Sequence, residues 1–178
     1  FQQSYRSNQT IRSTTIFYYE KSEVINGKTV LSEIDAAGAE EEAPIRRQEV
    51  FRGGSAPSAL GVLDMATLGK LQSVSHLVGL STEEKVDFQQ NFRTNGDVRS
   101  TVIFKYFGGL NAAAASLVDA SLVEQDTYRY GLKDRKDVDV QKLNIQTKAY
   151  LLGESGFERV NFQQSYRSNQ TIRSTTIF

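Results

Sequence analysis

The stretch FQQSYRSNQTIRSTTIF occupies residues 1–17 and recurs letter for letter at 162–178, and a looser copy, FQQNFRTNGDVRSTVIF, stands at 88–104. A chain of 178 residues that carries one block three times must use one local structure three times. Whatever the block becomes therefore governs the architecture. The middle and last copies also match upstream, where Glu84-Lys85-Val86-Asp87 aligns with Glu158-Arg159-Val160-Asn161. The exchanges inside the block, Phe92 for Tyr166 and Val98 for Ile172, are conservative, as in duplicated units that keep one structure. Identical ends beside a diverged middle copy point to a recent duplication or to an added extension at 162–178.

A second echo follows the first. Phe51-Arg52-Gly53-Gly54 precedes a small-residue segment running to Asp64, and Tyr106-Phe107-Gly108-Gly109 precedes another running to Asp119. The order predicts two diverged tandem units, residues 1–87 and 88–161, with 162–178 as an extra copy of the opening block. Residues 18–49 then form an insert that enlarges the first unit.

Locally the block reads two ways. As a hairpin, Asn95-Gly96 is a two-residue turn that sets Phe92 opposite Arg99 and Phe88 opposite Ile103. As a helix, Ser81-Thr82-Glu83-Glu84 is a capping box, Phe88 and Phe92 lie one turn apart, and Gly96 ends the helix. Capping signals on both sides favour the helix, with VRSTVIF and IRSTTIF as strands by their β-branched content. Two β-rich arms joined by Asn26-Gly27 predict a hairpin over Thr14–Ile34. Pro57 followed by Leu60, Leu63, Leu71, Val74 and Val78 predicts a helix to Gly79, and Ala112–Gln125 a second one. Val140–Leu152 fits helix or strand. The expected fold class is thus α+β: two helix-strand units with a β-hairpin insert.

Composition narrows function. Lys plus Arg and Asp plus Glu balance at 21 each, which argues against a nucleic-acid binder. There is no cysteine, so disulfides and thiolate chemistry are excluded. The apolar runs fall short of a spanning helix, and the opening residues predict no secretory signal. His76 is the single histidine, without a partner at metal or triad spacing. Glu40-Glu41-Glu42 reads as a solvated acidic loop, and neither Gly-Gly pair has phosphate-loop spacing. No cofactor or metal is expected. Asp64 and Asp119, at matching places in the two units, are the candidates for an enzyme with a dispersed Asp/Arg/Tyr site or for a small-ligand pocket.

What remains is arginine beside aromatic residues, the composition of protein interfaces. Tyr5, Arg6, Arg12, Phe88, Phe92, Arg93, Arg99, Tyr166, Arg167 and Arg173 are the expected partner-binding residues. They suit a non-catalytic structural, linker or assembly subunit that offers repeated surfaces to protein partners, and the terminal copies suit strand exchange between chains. The FRGG and YFGG segments, running into small residues in a two-unit, Arg- and aromatic-rich chain, resemble rod linker proteins of phycobilisomes. That resemblance implies a linker of a light-harvesting assembly. Without cysteine, pigment attachment is not part of it.

Overall fold

The computed structural model describes residues 1–57, 63–136 and 144–178. Its strands are β1 (Gln2–Tyr5), β2 (Ile11–Ile25), β3 (Lys28–Asp35), β4 (Ile45–Arg52), β5 (Leu71–Val78), β6 (Lys85–Phe92), β7 (Val98–Tyr106), β8 (Leu122–Arg129), β9 (Ile145–Leu152), β10 (Arg159–Tyr166) and β11 (Ile172–Ile177). They form one antiparallel sheet in the order β1-β2-β4-β5-β6-β7-β8-β9-β10-β11, with β3 paired beside β2. The α-helix among the described residues is the short α1 (Ala112–Ser116). The fold is therefore nearly all β, and the expected α+β arrangement of helix-strand units is wrong.

Each predicted helix fails for a visible reason. At the capping box, Thr82 takes a positive φ of 69°. Glu84 reaches away from the segment: its carboxylate accepts a hydrogen bond from the Ile45 amide at 2.9 Å, anchoring the start of β4. Glu158 does the same for Leu122, at the start of β8, at 2.8 Å. Phe88, Gln90 and Phe92 then alternate onto one face of β6 as a strand requires. Over 57–79 the apolar residues end in β5, where Val74 and His76 share a face; Leu60 lies outside the described residues. The 112–125 helix stops after α1, because Asp119 turns the chain at a φ of 46° and β8 begins at Leu122. Val140–Leu152 resolves to strand from Ile145, with 140–143 outside the described residues. In each case cross-strand pairing overrides a local helical signal.

The three copies of the block are three hairpins, β1–β2, β6–β7 and β10–β11. Each carries a bulge at the arginine of its return strand, Arg12, Arg99 or Arg173, so Phe92 pairs with Val98 rather than Arg99, while Phe88 does pair with Ile103. In the first, Gln9 donates to the Arg6 carbonyl, and Asn8 Oδ1 accepts from Thr10. The left-handed position falls on Gln9 (φ 61°), Gly96 (φ 91°) and Gln170 (φ 63°), not on the asparagine before it. The Asn26–Gly27 turn joining β2 and β3 has both residues at positive φ, the geometry of a type I′ turn.

Beyond the hairpins, the pairings of β6, β7, β8 and β9 retrace those of β1, β2, β4 and β5. Ser13 faces Arg52 as Ser100 faces Arg129, and Thr14 faces Phe51 as Thr101 faces Tyr128. The loops leaving β4 and β8 also agree. Gly53 donates to the Arg12 carbonyl and Tyr130 to that of Arg99, both at 3.0 Å. The structural counterpart of Phe51–Gly54 is thus Tyr128-Arg129-Tyr130-Gly131; Tyr106–Gly109 instead ends β7 in a 3-10 turn.

Side chains of one face form two packed patches: Phe88, Ile103, Tyr128 and Ile145 in one, Val74, Phe92 and Val98 in the other. Tyr106 and α1 make a third where α1 packs on β5, β6 and β7. Beside the first patch runs an ionic ladder: Lys105 contacts Glu124 and Asp126 at 2.7 and 2.6 Å, and Lys148 the same pair at 3.0 and 3.2 Å. Asp126 is buried, and two ammonium groups and the Tyr128 hydroxyl offset its desolvation. Among the described residues no helix is long and apolar enough to cross a membrane.

A basic rim as the candidate functional site

Alternating strand direction sends the turns of all three hairpins to the same end of the sheet, together with the loops after β4 and β8. The block has an arginine on each side of its turn, so that end receives Arg6 and Arg12, Arg93 and Arg99, Arg167 and Arg173. Arg52 ends β4 and Arg129 ends β8, adding one cation each between the hairpins. The opposite end carries Glu23, the Glu40–Glu42 turn, Glu83, Glu154 and Glu158, and Asp97 at the rim and Lys85 and Arg159 at the far end offset only part of this contrast. Formal neutrality therefore conceals a charge separation along the strand direction.

In the middle of the rim the cations converge. A cleft of about 450 Å³ is lined by Arg52, Lys70, Arg93 and Arg99, with Asn91, Ser100, Thr127, Gln146 and Thr147. Arg129 and Tyr130 extend it along the sheet. No carboxylate is in that lining. Asn91 Nδ2 donates to Ser100 Oγ at 3.1 Å, Lys70 Nζ reaches the Thr94 carbonyl at 2.6 Å, and Arg93 lies over the Tyr130 ring at 5.5 Å from its centroid. These contacts orient the cations without neutralising them. The cleft floor is polar and hydroxylated and belongs to the face opposite Phe88 and Gln90. Such a surface can hold a carboxylate or another anion through charge-assisted hydrogen bonds.

Of the residues singled out in the sequence, Arg93 and Arg99 meet in this cleft, and Phe92 also borders it. Arg6, Arg12, Arg167 and Arg173 lie along the same rim at the outer hairpins. Phe88 and Phe92 sit in the packed patches, so their rings are buried rather than offered to a partner. Tyr5 is exposed, and Tyr166 is half-buried against the Phe88 patch. Arg52, Lys70 and Arg129 escaped sequence reasoning. An available signal was the shared pattern aromatic-Arg-x-Gly at 51–54 and 128–131, each ending a strand just before a left-handed loop.

The other candidates disperse. Asp64 caps a 3-10 turn through Ala66 beyond β4, whereas Asp119 lies at the opposite end of the strands, bonded to Lys85 and Ser155. Hydrogen bonds from Lys85 and Ser155 hold the Asp119 carboxyl below its ordinary range. His76 stacks on Phe88 with centroids 4.2 Å apart, and burial pushes its imidazole below the usual value despite Asp134 at 3.8 Å. Among the described residues no group of His, Asp and Glu is arranged to hold a metal ion.

Fold and site together define an all-β, single-sheet protein with a cationic rim. No protein family matches the chain, and no curated protein or solved structure does either.

Proposed function

We propose that this protein is a non-catalytic assembly module that holds an acidic segment of a protein partner along its arginine rim. The observation that carries this reading is the convergence of Arg52, Lys70, Arg93 and Arg99 in a cleft whose lining has no carboxylate. The rim repeats because the block repeats, so a partner with spaced acidic residues meets similar cations at successive hairpins. A nucleic-acid reading is weaker. Its base-stacking platform needs exposed aromatic faces, and of the two aromatic residues in the cleft Phe92 is buried, which leaves Tyr130 over a floor of Asn, Ser and Thr.

The test is fluorescence anisotropy with a labelled octaglutamate peptide at low and moderate salt. Binding should weaken about tenfold or more in the Arg93→Ala/Arg99→Ala double variant and should fall with added salt. Unchanged binding in that variant would refute the reading. So would equal or tighter binding of a single-stranded oligonucleotide of matched charge.

A further inference from the structure

We propose that the open edge of β11 receives a second copy of this same sequence, joined in tandem so that its residues 1–17 are the residues 162–178 already in place. This inference goes beyond the assembly reading above and uses a different surface from the rim.

The register is already written inside the chain. β11 has the letters of the first half of β2, and in β2 the edge that β11 leaves open is filled by β4, with Thr14 facing Phe51 and Ile16 facing Glu49. Laid on the last hairpin, the same rule pairs Thr175 with Phe51 and Ile177 with Glu49 of the second copy. A side-chain socket stands beside that edge. In the first hairpin, Gln3 Nε2 donates to the Ser55 carbonyl at 2.9 Å, and Thr14 Oγ1 donates to that of Gly53 at 2.7 Å. In the second, Gln90 and Thr101 take the Leu132 and Tyr130 carbonyls at 2.8 and 3.0 Å. Gln164 and Thr175 are the same pair in the third hairpin, and among the described residues no loop crosses them. The loop after β4 of the next copy fits that socket.

Strand number decides the symmetry. β10 stands eight positions after β1 in the sheet order, an even number, so the two run in the same direction with the same face outward. The operation relating one copy to the next is then head-to-tail and open rather than a closed two-fold. It advances about 38 Å per copy at the usual strand spacing.

The same comparison argues for tandem joining over exchange between separate chains. A separate second copy could offer its β4 only by releasing its own β1–β2 hairpin, which has the identical letters. It would break the pairs that it makes, and association entropy would stand unopposed. A copy that continues from Phe178 into residue 18 releases nothing.

The test uses a two-copy chain in which residues 18–178 follow residue 178 once more. With no native cysteine, Ile177→Cys gives one thiol at the junction. Its labelling should slow about tenfold or more relative to the same variant of the single chain, as the thiol moves from an open edge into a paired strand. Amide exchange of residues 172–178 in the unsubstituted two-copy chain reports the same event without any substitution. Unslowed labelling together with unprotected amides would overturn the proposal. So would equal protection in a mixture of separate chains, which would return the choice to strand exchange. Arg93→Ala/Arg99→Ala in the two-copy chain should leave the junction protected, so loss of peptide binding and loss of junction protection are separate results.

Discussion

The first and last hairpins have the same letters, the same bulge, the same left-handed glutamine and the same Ser–Ser hydrogen bond at 2.7 Å, yet they live in different surroundings. Ile16 is 7% exposed and Ile177 is 80% exposed. Thr14 is buried and Thr175 is open to solvent. What differs is the neighbour: β4 covers the outer edge of β2, and β11 ends the sheet. Local sequence sets the conformation of the block, while burial and most of its stability come from the strand laid beside it.

Truncating the same side chain in both hairpins gives the largest expected contrast. Ile16→Ala should destabilise by about 3 kcal/mol, in the range for a buried isoleucine. Ile177→Ala should stay within about 0.5 kcal/mol, as surface changes do. Urea midpoints at unchanged slope measure both. Equal losses would break the comparison, because they would mean that β4 contributes nothing special to the first hairpin.

Acid should separate the hairpins next. The last one is docked on β9, whose Lys148 holds Glu124 and Asp126. Burial works against the Glu124 charge, but hydrogen bonds from Lys105 and Lys148 overcome it and bring its pKa down from 4.5 to about 2. A carboxyl depressed in the fold contributes stability that is complete above its unfolded value and disappears as pH falls through the folded one. The contribution should therefore fade between about pH 5 and pH 2 and amount to about 1–2 kcal/mol once solvent screening is allowed for. Amide exchange along this series should show β9 and β10 loosening before β1 and β2. Lys148→Met should bring that loosening to higher pH, because Glu124 then protonates earlier. Simultaneous loosening of both hairpins in the parent chain would show that the ladder stabilises the sheet as a whole.

How far the sequence could be read follows from the same contrast. The repeat, the Asn26–Gly27 turn and the strand character of VRSTVIF and IRSTTIF were legible, because identity, turn chemistry and β-branching are local properties. The strand character of β6 was not. Its capping box was complete in letters, but Glu84 bonds to Ile45, on a strand whose position the local sequence does not announce. The rim was half legible. Arg93 and Arg99 stand in the repeated block, whereas Arg52, Lys70 and Arg129 join them only once the strand order is known. The charge separation was hidden entirely, since a sum of zero has no direction until alternating strands sort the residues by end.

The smallest effect tests the local half of the comparison. Gln9 and Gln170 occupy the left-handed position that Gly96 fills in the middle hairpin, and a side chain there crowds the backbone. Gly96 has open space where a Cβ would stand, so the penalty is conformational rather than a clash with neighbours. Gln9→Gly and Gln170→Gly should each stabilise by up to about 1 kcal/mol, less the entropy that glycine adds to the unfolded chain, and Gly96→Gln should destabilise by a similar amount. The first two gains should be equal within error, because the turn makes its bonds within Arg6–Thr10 and Arg167–Thr171 and does not feel β4. Thermal unfolding of the two single variants decides it. A clear gain at Gln9 with none at Gln170 would mean that the last hairpin opens before the rest of the sheet unfolds, so that its turn no longer reports on global stability.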